Sequence, residues 1–477
     1  MSASIVVGGI VLVAFSWAAV LCLFVVLVSK ARFKSVDLQW SYWSISITVS
    51  TRDDLMDRLR HRLIPHKSCL SRWFSLGVPL SCLLMGLSLF VLLANIIRLL
   101  FLLFSSAPVR DSDLPSTLIV PLIPGITFPI WQALYLWVSL LVSIVCHELG
   151  HFLCAVAHDI PVIAVGIHIL FFVPSAFVEV DQGELLARSQ RVSRAVFAAG
   201  ILHNFAIAAV AGLALLLLPL LIFPLYRHDL HPTIVWTSPM SPLSNISSSG
   251  DTRLMFLNDI TVSNSDDLPG YLSSINSAPA GICLDPHAIS AAFASNGDTC
   301  CQNASPEYCF SHIDGHSPFC ISSRNSLPPR SISCDNSTPC TDPLYSTCAI
   351  VPGSHVIYIQ SSQAVHIFIG HPFELLNAIE VTDYVPRFGR LFPVRGALWM
   401  SRFLTFLAST SLSLGVVNSA PVHYLDGEHL ALTFGRTRRQ KRLIQHGLSF
   451  GSVALMVNIV LSVATKTAFA MRAPASS

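Results

Sequence analysis

The amino-acid sequence predicts a polytopic α-helical membrane protein of about six transmembrane helices, with a β-rich luminal domain that carries a cysteine-rich insertion. Three observations carry that reading. Hydrophobic residues make up 52% of the chain and charged residues only 12%, against about 25% charged in soluble domains. Apolar runs of spanning length recur from one end to the other. Eight of the thirteen cysteines gather in one long segment between two of those runs. The net charge of +2 is too small to suit a nucleic-acid partner, and the basic residues cluster beside apolar stretches rather than forming one face or tail. A lipid bilayer is the partner that the composition implies.

Residues 1–29 open the chain with an apolar run that lacks a basic N-terminal region and exceeds the about 20 residues that cross a hydrocarbon core. They read as a retained transmembrane helix rather than a cleaved signal. Residues 30–72 follow as a cytosolic segment. In it Trp43, Ile45, Ile47 and Val49 alternate with Ser44, Ser46, Thr48 and Ser50, the period of a strand with one apolar face. The tryptophans Trp40 and Trp43, with Tyr42, suit a membrane interface. A membrane-associated β-hairpin and an ordinary cytosolic hairpin both fit.

Residues 73–225 form a membrane core with spans at 73–104, 130–157 and 195–225, and residues 395–477 add spans at 397–417 and 443–463. The backbone there has to be helical, because lipid offers it no hydrogen-bond partners. Arg98 interrupts the second span, either snorkelling to the interface or marking its end.

Short loops set the orientation. Lys30, Arg32, Lys34, Arg58, Arg60, Arg62 and Lys67 lie between the first two spans; Arg188, Arg191 and Arg194 precede the fourth; Arg436, Arg438, Arg439, Lys441 and Arg442 precede the sixth. All fall on one side, the cytosolic one, if both termini lie on the other.

Residues 226–394 then face the lumen. They hold Cys283, Cys300, Cys301, Cys309, Cys320, Cys334, Cys340 and Cys348, and acceptor sequons for glycosylation at Asn245, Asn303 and Asn336. The insertion covers about 283–348. Strand-like pieces at 254–262 and 355–369 flank it, with a short helix near 267–275.

The chemistry concentrates in His147-Glu148-Leu149-Gly150-His151, inside the third span. On a helix the two histidines stand one turn apart on one face, so both imidazoles reach a single zinc ion while Glu148 lies beside its water. Ionisable groups at membrane depth cost about 2.5–3.5 kcal/mol on insertion scales, and a metal compensates them. Without a metal, the histidines would bond neighbouring helices and Glu148 would stay protonated. Two histidines need a third protein ligand if a fourth position is to stay open to water. Asp426, in Asn418-Ser-Ala-Pro-Val-His-Tyr-Leu-Asp426-Gly427, is the best candidate; His423 and Glu428 lie nearby, and position alone leaves them open.

These motifs, together with Pro121-Leu-Ile-Pro-Gly-Ile-Thr-Phe-Pro129, Pro174-Ser-Ala-Phe-Val-Glu179 and Ala199-Gly-Ile-Leu-His-Asn204, occur in an order that resembles the site-2 protease family of intramembrane zinc metalloproteases, especially its eukaryotic branch. The resemblance covers the membrane core well, the luminal domain loosely and the first span hardly at all. It implies one catalytic Zn²⁺ on His147, His151 and Asp426, with Glu148 as the catalytic residue. It further implies that Asn204, with His203 beside it, holds substrate or stabilises the oxyanion, although interhelical hydrogen bonding is the plainer use of that pair. Asn418, Pro421 and Gly427 look like structural supports of the segment bearing Asp426.

On the same resemblance the luminal domain is PDZ-like, and the substrates are transmembrane proteins, membrane-tethered transcription factors above all. They would be cut in Golgi or endoplasmic reticulum membranes after an earlier luminal cleavage. With His147 about 17 residues beyond Ile130, roughly 25 Å along a helix, the chemistry is expected near the cytosolic leaflet. Two other readings remain at this level: a prenyl-protein-processing type of membrane zinc protease, and a non-catalytic zinc carrier or scaffold.

Overall fold

The computed structural model describes residues 36–41, 44–50, 61, 64–104, 130–170, 173–239, 241, 243–244, 246, 252–278, 281–287, 289–290, 308–312, 319–321, 333–334, 340–350 and 354–472. The expected first span at 1–29, the motif at 121–129 and the sequons at Asn245, Asn303 and Asn336 lie outside the described residues. The chain divides into two compact units, Met1–Leu216 with Arg402–Ser477, and Leu217–Ser401.

In chain order the first unit opens with strands β1 (Val36–Ser41) and β2 (Ser44–Ser50), an antiparallel pair in which Leu38 faces Ile47. Helix α1 (Lys67–Phe104) is apolar on all sides. Its Leu76, Leu83, Phe90 and Ile97, spaced by seven, leave 60–70% of their surface uncovered. A lipid surround accounts for such a stripe, which water would disfavour.

Helix α2 (Ala133–Ala157) is followed by strands β3 (Val162–Leu170) and β4 (Val173–Val180). Alternating Val162, Ala164, Gly166 and His168 against Ile163, Val165, Ile167 and Ile169 puts β-branched residues on a pleated surface. Together the four strands make one antiparallel sheet in the order β1-β2-β3-β4, with Ile47 opposite Ile167 and Val165 opposite Val178. The sequence reading contained only the first hairpin of this sheet.

Helix α3 (Gln190–Leu216) is shorter than the expected span 195–225. Pro219 sets the limit: it lacks an N–H and its ring clashes with the preceding turn, so a separate short helix, Leu218–Ile222, begins there with the proline in its first turn.

The second unit contains β5 (Tyr226–Thr237), β6 (Leu254–Leu257), β7 (Ile260–Thr261), helix α4 (Leu268–Ser277), β8 (Gly281–Leu284), β9 (Tyr308–His312), β10 (Phe319–Ile321), β11 (Ser333–Cys334), β12 (Thr347–Ile350), β13 (His355–Ser361), β14 (Val365–Gly370) and β15 (Ile379–Pro386). The expected strand at 254–262 is a tight hairpin, turned at Asn258 with φ +52°. Its backbone N–H and side-chain oxygen both bond Tyr358, at 2.8 Å each. The expected strand at 355–369 is likewise two strands.

Sheet β14-β13-β6-β7 and pair β15-β5 enclose a core of Ile234, Leu254, Leu257, Leu272, Ile357 and Phe368. Asp383 anchors the approach to α4 by accepting from Ser265 N at 2.8 Å and from Ser265 Oγ at 2.6 Å. The cysteine-rich stretch forms the sheet β10-β9-β12-β8-β11, with disulfides Cys283–Cys340 and Cys334–Cys348 among the described residues.

The chain returns to the first unit along α5 (Gly396–Ser419), then α6 (Asp426–Leu432) and α7 (Arg438–Arg472). Among the described residues five helices are long and apolar enough to cross a membrane: α1, α2, α3, α5 and α7. Polar side chains join them where lipid offers no alternative partner. Asn95 Nδ2 donates to Asn458 Oδ1 at 2.5 Å, and Asn458 Nδ2 to Leu92 O at 2.7 Å, tying α1 to α7. Ser143 and Ser411 meet at 2.6 Å between α2 and α5.

Candidate metal centre

His147 and His151, one turn apart on α2, put their rings 4.8 Å centre to centre. Asp426, the first residue of α6, reaches both from a position 275 residues along the chain. Its Oδ2 lies 2.9 Å from His147 Nε2 and 3.2 Å from His151 Nε2, and the two Nε2 atoms are 3.2 Å apart. Zinc–ligand bonds of about 2.0–2.1 Å put neighbouring corners of a tetrahedron about 3.3 Å apart. The three donor atoms therefore form a triangle of nearly that edge, and the group could hold a metal ion. Two neutral imidazoles and a carboxylate are also a donor set that suits zinc.

The wall behind this triangle is α3. His151 Nδ1–H donates to Val196 O at 2.8 Å, which leaves Nε2 as the free lone pair. Gly200 lies flat against both rings: a Cβ there would come within 2.6 Å of His147 Nε2 and collide with His151 Nε2. One turn further, the Asn204 amide lies 3.0 Å from His147 Nδ1. His203 turns aside, stacking obliquely on Phe74 at 5.6 Å and donating from Nδ1 to Cys146 O at 3.2 Å. Val196, Gly200 and Asn204 recur every four residues, on one helix face. The sequence reading missed Val196 and Gly200; the signal available to it was that spacing, counted back from Asn204.

Asp426 is delivered by a sharp reversal. Helix α5 ends at Ser419, just after Asn418; Pro421 sits in the connecting turn; Tyr424 adopts φ +70°; and α6 begins at Asp426. Gly427 makes the return possible. A Cβ there would strike the carbonyl oxygens of Ala420 and, at 2.6 Å, Ser419. The other two candidates for third ligand are drawn into a pair of their own: His423 Nδ1 lies 3.0 Å from Glu428 Oε1, and Glu428 Oε2 accepts from Tyr424 N at 2.7 Å.

Glu148, between the histidines in sequence, faces an apolar cleft of about 340 Å³ between α2 and the sheet, whose walls include Ile47, Val49, Leu149, Phe152 and Phe177. The Val178 backbone, on β4, lies near its carboxylate. Glu148 is the one ionisable side chain among the residues that line this cleft.

The fold and the site together define a class: a polytopic membrane protein that presents a metal-capable His, His, Asp group and a neighbouring glutamate. The family model described as Peptidase family M50 matches residues 135–463, more than half of the chain, and the chain belongs to that family. A relative from Arabidopsis thaliana, "Membrane-bound transcription factor site-2 protease homolog", is 24% identical over 450 residues, covering 80% of this chain and 85% of the relative. The protein is thus a site-2 protease homologue, in a family of zinc metalloproteases.

Proposed function

We propose that this protein is an intramembrane zinc metalloendopeptidase that cleaves transmembrane segments of membrane-tethered proteins. The observation that carries the reading is the convergence of His147, His151 and Asp426, from two distant segments, to donor separations of 2.9–3.2 Å. Bound there, zinc would supply Lewis acidity for the water and the scissile carbonyl. Glu148 takes a proton from the attacking water at its carboxylate and returns it to the leaving amine nitrogen. The apolar cleft beside Glu148 receives the extended substrate segment and keeps bulk water away.

A substrate helix hides its amides in its own hydrogen bonds, so it has to unwind before attack, and helix-breaking residues in it should help. The β1–β2 hairpin, continuous with β3 and β4, is proposed to offer backbone partners to that unwound segment from the membrane surface. The name of the Arabidopsis relative supports membrane-tethered transcription factors as substrates. Residence in Golgi or endoplasmic reticulum membranes, a luminal PDZ-like domain, glycosylation at the three sequons and a preceding luminal cut belong to the same proposal; the two disulfides of the second unit support an oxidising compartment for it.

The rival prenyl-protein-processing type would draw its third ligand from a glutamate, and the engagement of Glu428 with His423 and Tyr424 favours Asp426 instead. A tethered reporter with a shortened luminal side tests the proposal in cells. Wild type should release it, and Glu148→Gln and Asp426→Asn should not; equal release from all three would refute the protease reading. Metal content unchanged on removing Asp426 would favour the rival, and zinc binding without release by wild type would favour a carrier or scaffold.

A further inference from the structure

Helix α3 carries no candidate ligand, yet it touches both metal-facing imidazoles. For His151 the contact is complete: a carbonyl acceptor at Nδ1 leaves the Nε2 lone pair to face the triangle. For His147 it is not. Asn204 is fully buried and presents its amide nitrogen, Nδ2, to Nδ1 at 3.0 Å, while its Oδ1, also buried, has no hydrogen-bond partner among the described residues. An imidazole that offers Nε2 to a metal bears its proton on Nδ1, where it has to donate. An amide nitrogen cannot accept that proton; an amide oxygen can. A half-turn of the amide exchanges two ends of nearly equal size, satisfying Nδ1–H and the orphaned Oδ1 together.

We propose that Asn204 is a positioning residue for His147: its amide oxygen accepts the Nδ1 proton and thereby presents Nε2 to the metal. This rests on the metalloprotease reading and gives Asn204 a task different from the substrate or oxyanion contact that the family resemblance implies. Its full burial behind the imidazole supports that reassignment, because a group that meets substrate needs an open approach. Gly200 completes the arrangement by bringing the α3 backbone close enough for the short Asn side chain to reach the ring.

The test uses the purified full-length protein in detergent, comparing wild type with Asn204→Leu and Asn204→Asp. Zinc affinity is read by chelator competition, and ligand geometry by the visible spectrum of the cobalt-substituted protein. Leucine keeps the size and removes the acceptor, so zinc affinity should fall about 10–100-fold and the cobalt bands should shift. Aspartate restores an acceptor and should keep affinity within a few-fold of wild type.

Because Asn204→Leu has the potential to misfold, ¹⁵N-histidine spectra of zinc-loaded wild type provide a second reading: His147 should be protonated at Nδ1 and metallated at Nε2. Metallation at Nδ1, or a leucine variant equal to wild type in affinity and spectrum, would overturn the proposal. If wild type held no more zinc than His147→Ala, the metalloprotease reading itself would fall and take this proposal with it.

Discussion

The guanidinium of Arg194 holds Thr433 at two points, donating to its hydroxyl and to its carbonyl oxygen at 3.1 Å each. The ring of Phe434 lies 4.1 Å beneath the same group. Thr433 closes α6, so the helix that begins with Asp426 is pinned at its far end to α3, the helix that backs both histidines. Replacing Arg194 by Met should lower thermal stability by about 1.5–3 kcal/mol, the usual worth of hydrogen bonds to a charged group, and increase zinc loss on dialysis. Arg194→Lys should recover only part of either, since a point charge cannot reproduce the fork. Thermal melts and metal analysis of the two variants check this.

Gly200→Ala places a methyl group against both imidazoles. Bound zinc should drop at least about tenfold, in the range seen when groups supporting a metal ligand are lost. Gly212→Ala on the same helix meets open space and should bind zinc normally. Elemental analysis of both proteins separates a local clash from a general intolerance of alanine in α3.

Chelation should inactivate the enzyme reversibly and lower its melting temperature. A ligand present at a hundred times its Kd stabilises the folded state by about 2.7 kcal/mol. Glu148→Gln should keep that zinc-dependent shift while losing cleavage, and His147→Ala, His151→Ala and Asp426→Ala should lose both. Melting curves with and without added zinc distinguish the two groups.

Ile47 lies in the cleft wall facing α2, on the hairpin pairing with β3. A charge there opposes entry of an apolar segment, so Ile47→Asp should cut cleavage at least about tenfold through the substrate term, KM, while Ile47→Val changes it little. Zinc content should match wild type in both. Kinetics on a purified transmembrane-segment substrate decide the point.

His158, at the end of α2, titrates below the ordinary histidine range because it is partly buried, with Lys67 adding to the effect. A folded-state value below the unfolded one of about 6.5 means that the unfolded chain binds the proton first. Stability from this group is therefore complete above about pH 6.5 and is lost as pH falls through the folded-state value. His158→Asn should flatten that part of the melting profile between about pH 5 and 7 relative to wild type.

The elements legible in the sequence were those with a period or a local motif. The spans at 73–104, 130–157, 397–417 and 443–463 correspond to α1, α2, α5 and α7 within a few residues at most ends, because lipid demands long apolar helices. Strands β3 and β4 went unread, since a short apolar run such as 162–180 is indistinguishable by hydropathy alone from a buried helix. Strands β5 and β15 escaped for a related reason: each takes its strand character from the other, across more than a hundred residues, with register shifts that blur alternation.

By itself the sequence determined that the chain enters membranes and that His147, Glu148 and His151 share one helical turn, because hydropathy and the 3.6-residue period act over neighbours. Only the tertiary structure brought Asp426, rather than His423 or Glu428, to the two imidazoles, and only it brought Val196, Gly200 and Asn204 behind them. Those choices depend on how closely α2, α3 and α6 pack, and a distance between remote helices is set by shape and by the room a glycine leaves, which no local pattern records.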